Sequence, residues 1–138
     1  MFRSLLLVPV LSALAAAPAL AGPCEKSYRV SGVPLVTPLV FTVSQVFSNT
    51  SADKALARMA KAVKAEDFSG IKVSEKRGTI SAYQETSGSG RPQGLLVTVK
   101  SGTKGVRATA TFKIQAGQVA EDKYVRRSLC KIVGAADG

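Results

Sequence analysis

Residues 106–114, VRATATFKI, decide the fold of this chain. Every second residue in this stretch is apolar, from Val106 to Ile114, and the residues between them are polar. Such alternation over nine residues is typical of a β-strand with one buried side and one side that faces water. We therefore expect an antiparallel sheet with one covered face and one open face.

Shorter alternating stretches flank this strand and predict its neighbours. A first strand runs from Leu39 to Phe47, and glycine-marked turns at residues 76–78 and 101–105 join four later strands into two hairpins. Ile71 and Val73 are predicted to face inward. The predicted open face continues along these strands through Lys72, Ser74, Thr79, Ser81, Tyr83, Thr98 and Lys100. Residues 86–94, TSGSGRPQG, cannot easily continue a strand, so we expect a mobile loop there, either a binding loop or an idle one.

Two helices are predicted, one on each side of the four strands. Thr50 and Asp53 have the spacing of a capping box, and the apolar residues that follow lie on one helix face: Leu56, Met59, Ala60 and Val63. A second helix begins near Glu121 and ends before Gly134, with a buried stripe of Val125, Leu129, Ile132 and Val133. The sequence thus predicts an α+β domain of strand, helix, four strands and helix, with both helices packed on one face of a curved antiparallel sheet.

The first 21 residues, MFRSLLLVPVLSALAAAPALA, have the pattern of a secretory signal peptide. Arg3 precedes an apolar run, and small residues end the segment. We therefore predict cleavage after Ala21, a single α+β domain over residues 22–138, and a periplasmic or secreted location.

The sequence leaves two alternatives to a cleaved signal peptide. An uncleaved anchor is disfavoured because Pro9 and Pro18 interrupt an apolar run that is shorter than the roughly 20 residues of a spanning helix. A lipoprotein is suggested by LAGPC at residues 20–24, but Pro23 stands where a lipidation signal needs a small residue.

Cys24 and Cys130 are the only cysteines, and they lie near the two ends of the mature chain. An exported chain folds where disulfides persist, so we predict a structural disulfide between them. Free or catalytic thiols are the alternative, but the chain lacks the closely spaced pair of a redox motif. The disulfide would place the first mature residues beside the final helix.

The charge of the chain points to an anionic partner. The formal net charge is +10, and removal of Arg3 with the signal peptide leaves +9. Such a charge favours acidic proteins, acidic lipids or acidic polysaccharides, and export makes nucleic acid an unexpected target. The candidate contacts are Lys54, Arg58, Lys61 and Lys64 on the outer side of the first helix, and Lys72, Arg107 and Lys113 on the open face. The alternative for both sets is an ordinary solvated surface.

Catalysis is not expected. The chain has no histidine, which removes the commonest general base and zinc ligand, and its adjacent carboxylates belong to helix ends. Gly88 and Gly90 lack the helix and Lys-Ser/Thr of a phosphate-binding loop. We predict no catalytic residue, no metal and no cofactor. An enzyme would need a cleft around Tyr83, Glu85 or Lys100.

The order of elements, with GIKVSEKRGTISA at residues 70–82 after the first helix, resembles the helix-grip or TATA-binding-protein-like domains of small bacterial envelope proteins. Outer-membrane assembly lipoproteins contain domains that look like this. The resemblance covers residues 39–133 and implies an envelope assembly or interaction module, without carrying over any site residue. A small apolar-ligand carrier is the alternative, with a pocket between sheet and helices lined by Phe41, Met59, Phe112 and Leu129.

Overall fold

The structure is a computed structural model that describes residues 22–85 and 91–138. The signal peptide predicted over residues 1–21 lies outside the described residues.

The chain forms three helices and six strands. The helices are α1 (Pro23–Ser27), α2 (Ala52–Ala65) and α3 (Asp122–Gly134). The strands are β1 (Arg29–Ser31), β2 (Leu39–Phe47), β3 (Ser69–Ser74), β4 (Thr79–Glu85), β5 (Pro92–Gly102) and β6 (Gly105–Ile114). The strands make one antiparallel sheet in the order β1-β2-β6-β5-β4-β3. This confirms the predicted α+β architecture and adds α1 and β1 before it.

The VRATATFKI strand lies inside the sheet, as its alternation predicts. β6 pairs with β2 from Val106 to Ile114 and with β5 from Gly105 to Lys113. All five alternating apolar residues of β6 are buried. Because directly paired residues point to the same side of a sheet, this buried side continues through Phe41 in β2 and Leu95 in β5.

Helices α2 and α3 cover that buried side and pack against each other. Leu56, Met59 and Val63 of α2 are buried, and so is the predicted stripe of α3: Val125, Leu129, Ile132 and Val133. The predicted cap of α2 was one residue early. Ser51 caps the helix, since its Oγ accepts a hydrogen bond from the Lys54 amide at 3.4 Å, whereas the hydroxyl of Thr50 accepts from Arg58.

Strand β3 forms one edge of the sheet, where Val73 faces the helix side as predicted but is not buried. Val73 pairs with Ile80 on the helix side of the sheet, yet 48% of its surface is exposed, and Ile71 is only half-buried. An edge strand has one neighbour instead of two, so less of its surface is covered. The ladder also shifts register between Ser69 and Lys72, where Gly70 adopts a positive φ of 61° beneath the ring of Tyr83.

The opposite edge is closed by the N-terminal segment, which the sequence pattern did not predict as regular structure. β1 pairs with residues 40–42 of β2, and beyond it the Ser27 hydroxyl accepts a hydrogen bond from the Ser44 amide at 2.8 Å. A disulfide joins Cys24 of α1 to Cys130 of α3, as predicted. The Tyr28 hydroxyl donates to Asp122 at 2.7 Å, and its burial together with this bond raises the pKa of Tyr28 above its usual range.

The loop predicted over residues 86–94 extends too far at its C-terminal end. Pro92, Gln93 and Gly94 belong to β5 and pair with β4. The turn-like composition of this segment concealed the start of the strand. Pro92 fits there because proline is tolerated as the first residue of a strand. Arg91 remains outside any strand, and residues 86–90 of the predicted loop lie outside the described residues.

Candidate anion-binding surface

The side of the sheet opposite the helices is open, and its cross-strand pairing shows which residues share it. We call this side the open face. The pairing places Lys113 beside Val40 and Gly94, and Arg107 beside Val46 and Lys100. The predicted open-face residues all follow this register: Lys72, Ser74, Thr79, Ser81, Tyr83, Thr98 and Lys100.

Hydroxyl groups fill the middle of the open face. Adjacent strands place Thr42 beside Thr111, and Ser44 beside Thr109, which in turn pairs with Thr98. Two larger side chains, Leu96 and Tyr83, lie among these hydroxyl groups and are 45% and 42% exposed. The charge pattern did not predict them as contacts. The face therefore offers many hydrogen-bond donors and a small apolar area.

Cations surround these hydroxyl groups. Lys72, Arg107 and Lys113, the three predicted contacts, are all exposed on this side, and the register adds Lys100 and Arg29. Arg29 is partly engaged, because its guanidinium donates to the carbonyl oxygens of Lys26 and Tyr28. By the same register, Glu85 is the only carboxylate among the strand residues on this side.

Carboxylates are distributed very unequally between the two layers of the molecule. The helices and the non-strand residues that adjoin them carry nine lysine or arginine residues and seven carboxylates, namely Glu25, Asp53, Glu66, Asp67, Glu121, Asp122 and Asp137. The strands with their connecting segments also carry nine cations, but only Glu75 and Glu85 as carboxylates. Seven of the nine net positive charges of residues 22–138 therefore belong to the strands and the segments that join them.

Lys100 and Arg107 are the most closely juxtaposed cations of the open face. They are direct partners across strands β5 and β6, a position in which like charges repel. The Arg107 guanidinium donates to the Ser44 hydroxyl at 3.1 Å, and Thr109 donates to the same oxygen at 3.3 Å. This pair concentrates positive charge at one end of the face.

Replacing Lys100 with glutamate is expected to stabilise the protein. The variant K100E turns a cross-strand repulsion into an attraction, which should raise the free energy of unfolding by about 0.2 to 1 kcal/mol in urea denaturation. K72E is the matched control, because it changes the net charge equally while Lys72 pairs with the uncharged Ser81. Equal stabilities of the two variants would show that Lys100 and Arg107 do not repel each other.

The predicted stripe on α2 is divided by the structure. Lys54, Lys61 and Lys64 are exposed, but Arg58 is half-buried and holds the chain end. Its guanidinium donates to the carbonyl oxygens of Ala136 and Asp137, both at 3.3 Å. Arg58 therefore has a structural role that its position in the stripe did not reveal.

Helix α3 carries further cations beside the disulfide. Lys123, Arg126, Arg127 and Lys131 line a shallow cleft of about 350 Å³, together with Cys130 and the carboxylate-bearing Glu25. Arg126 lies over the ring of Tyr28, and Lys131 forms a salt bridge with Glu66 at 3.7 Å. These contacts and the nearby carboxylates leave the helix layer with less excess positive charge than the strands and their connecting segments.

The pocket predicted for an apolar ligand is filled by the core. Phe41, Met59, Phe112 and Leu129 are each at most 4% exposed. Beside them, a cavity bounded by Phe68, Phe112 and Leu129 measures about 10 Å³. That is barely room for one water molecule. The packing between sheet and helices therefore counts against the carrier alternative.

Neither a metal site in the described residues nor a matching protein indicates a function. Within residues 22–85 and 91–138, no three His, Cys, Asp or Glu side chains are grouped so that they could hold a metal ion. No helix in the same ranges is both long and apolar enough to cross a bilayer. No protein-family model and no curated protein matches the chain.

Proposed function

We propose that the protein is an exported, non-enzymatic module that binds an anionic component of the cell envelope through the open face of its sheet. The observation that carries this proposal is the unequal distribution of carboxylates between the two layers. A surface with many cations and few carboxylates attracts polyanions over a range of about a Debye length, roughly 10 Å at 0.1 M salt.

The shape and chemistry of the open face support the same proposal. No helix of residues 22–85 and 91–138 packs on it, so its side chains are accessible to a large partner. Threonine and serine hydroxyls can donate hydrogen bonds to anionic oxygens, while lysine and arginine supply charge. Leu96 and Tyr83 add apolar contact area at the centre and side of the face.

Export is part of the proposal and rests on two features. The first 21 residues have the pattern of a cleavable signal peptide. The disulfide between Cys24 and Cys130 is of a kind that persists in oxidising compartments. Both features support a location in the periplasm or outside the cell, where acidic lipids, acidic polysaccharides and acidic proteins are available as partners.

The proposal is tested with defined polyanions. The full chain is expressed, and the disulfide-intact protein is titrated with phosphatidylglycerol vesicles, polygalacturonate and polyglutamate at about 20 mM and about 300 mM salt, between which the screening length falls severalfold. We expect at least one polyanion to bind at low salt and to bind more weakly at high salt.

The variant K72E/R107E/K113E identifies the surface in the same titrations. Each cation near an anionic surface contributes about 1 kcal/mol, so reversing three should weaken binding by about 100-fold or more. Absence of binding to all three polyanions at low salt, or unchanged binding by this variant, would overturn the proposal.

A further inference from the structure

A groove at one end of the open face brings three cations together. It measures about 300 Å³ and is lined by Lys100, Lys104 and Arg107, with Val46 and residues 101–103 and 105 completing its walls. We call it the hairpin groove, since β5 and β6 turn at this point. None of its lining residues carries a carboxylate.

The hairpin groove is built on a fixed backbone. Gly105 has a φ of 126°, and a Cβ atom there would lie 2.2 Å from the carbonyl oxygen of Phe47, so only glycine fits this close approach to the end of β2. Gly102 and Gly105 are paired directly across the hairpin. The turn therefore holds Lys104 close to the Lys100 and Arg107 pair.

Arg107 is already oriented within the groove. One terminal nitrogen, Nη1, donates to the Ser44 hydroxyl at 3.1 Å, which restrains the side chain along the sheet. A guanidinium has five donor hydrogens, so others remain available to a ligand. An oriented guanidinium loses less rotamer freedom when it binds a planar or tetrahedral oxyanion.

The chemistry of the groove selects among anions. Three cations facing one small space exceed what a single carboxylate can neutralise, whereas a phosphate monoester carries a charge of about −1.5 to −2 at pH 7. Arginine also binds phosphate oxygens through two parallel hydrogen bonds, and lysine adds a point charge.

We infer that the hairpin groove binds a phosphate group of the partner, most simply a phosphate monoester. This inference rests on the proposed function, because it names the chemical group that the open face recognises. The like charges of Lys100 and Arg107, which repel in the free protein, would be brought together favourably by the bound phosphate.

Backbone amide NMR shifts test the inference directly. The disulfide-intact protein is titrated with inorganic phosphate, and with acetate at equal ionic strength. We expect saturable shifts confined to Val46 and residues 100–107, with binding of phosphate at least about tenfold tighter than acetate. R107Q and K100Q should each weaken phosphate binding severalfold, while K76Q, a control in the turn between β3 and β4, should leave it unchanged.

Two sources of the phosphate group are separated by a vesicle arm. Phosphatidic acid presents a phosphate monoester in a lipid headgroup. If phosphatidic acid vesicles bind through Arg107 and compete with inorganic phosphate, the group belongs to a lipid surface. If inorganic phosphate binds in the groove and the vesicles do not compete, the group belongs to a soluble phosphate monoester. Both results support the inference.

Other results would overturn it. Shifts that do not saturate, that spread over the whole surface, or that saturate at the same phosphate concentration in R107Q as in the wild-type protein would show that phosphate meets only general positive charge. The variant K72E/K113E, which leaves the hairpin groove intact, then decides how far the failure extends. If it still weakens polyanion binding, only the phosphate inference fails. If K72E/K113E binds polyanions as tightly as the wild-type protein does, the proposed function fails as well.

Discussion

Removal of the disulfide is expected to lower the free energy of unfolding by about 4 to 5 kcal/mol, the loop-closure value for a loop of about 100 residues. Cys24 and Cys130 are 106 residues apart, so the bond closes nearly the whole described chain. Cys24 is also part of the buried core. The double variant C24A/C130A is measured by urea denaturation against the oxidised protein.

The effect should be strongest at the N-terminal edge of the sheet. α1 has five residues and β1 has three, too few to remain ordered through their own hydrogen bonds. Amides of these two elements should therefore lose hydrogen-exchange protection first in the variant. Chemically reduced wild-type protein is the control and should behave like C24A/C130A. A loss below about 1 kcal/mol would show that the N-terminal segment is held mainly by its other contacts, such as Tyr28 with Asp122.

The variant F112A is expected to destabilise the protein by about 3 to 5 kcal/mol, the usual cost of removing a buried phenylalanine. The ring of Phe112 lies 6.1 Å from that of Phe41 and 5.9 Å from that of Phe68, measured between centroids. It thus contacts neighbours within the sheet and above it. Truncation would leave a cavity between the sheet and the helices, since the surrounding groups are already close-packed.

L96A is the matched control for F112A. Leu96 pairs with Thr111, the residue before Phe112, but it stands on the open face with 45% of its surface exposed. Its truncation should cost less than about 1 kcal/mol. If F112A cost as little as L96A, the space between sheet and helices would not be a packed core. That outcome would restore the apolar-ligand carrier as the leading function.

The strands and helices could be predicted where the apolar pattern is long and two-sided. The alternation of residues 106–114 and the stripes of α2 and α3 each reflect one buried and one exposed side, and the structure confirms them. Val73 has the same local pattern but lies in an edge strand. The local sequence does not show whether a strand has one neighbouring strand or two, and this decides how much of the residue is covered. α1 and β1 are too short to show any period, and they are held by the disulfide and by Ser27.

The candidate site could be predicted only in part. The pattern placed Lys72, Arg107 and Lys113 on the open face, as the register shows. It did not pair Lys100 with Arg107, because that contact depends on the exact register of the β5–β6 hairpin. Nor did it separate Arg58 from its lysine neighbours, since the acceptors of Arg58 lie near the other end of the chain.

The unequal charge of the two layers emerges only when the chain is folded. In the sequence, carboxylates are spread from Glu25 to Asp137 without an obvious block. Folding gathers most of them at helix ends, where Asp122 accepts from Tyr28 and Glu66 accepts from Ser128 at 2.9 Å. The sheet is left with an excess of cations, and we interpret this excess as the basis of anion recognition.

The most direct test of the central claim compares matched charge reversals on the two layers. K72E/R107E/K113E reverses three cations on the open face, and K54E/K61E/K64E reverses three exposed cations on α2 with the same change in net charge. The dissociation constant of each is measured at low salt for whichever polyanion binds the wild-type protein. The open-face variant should lose about 100-fold or more, and the α2 variant about tenfold or less. Equal losses would mean that only total charge matters, and a larger loss from α2 would place the binding surface on the helices, contradicting our account.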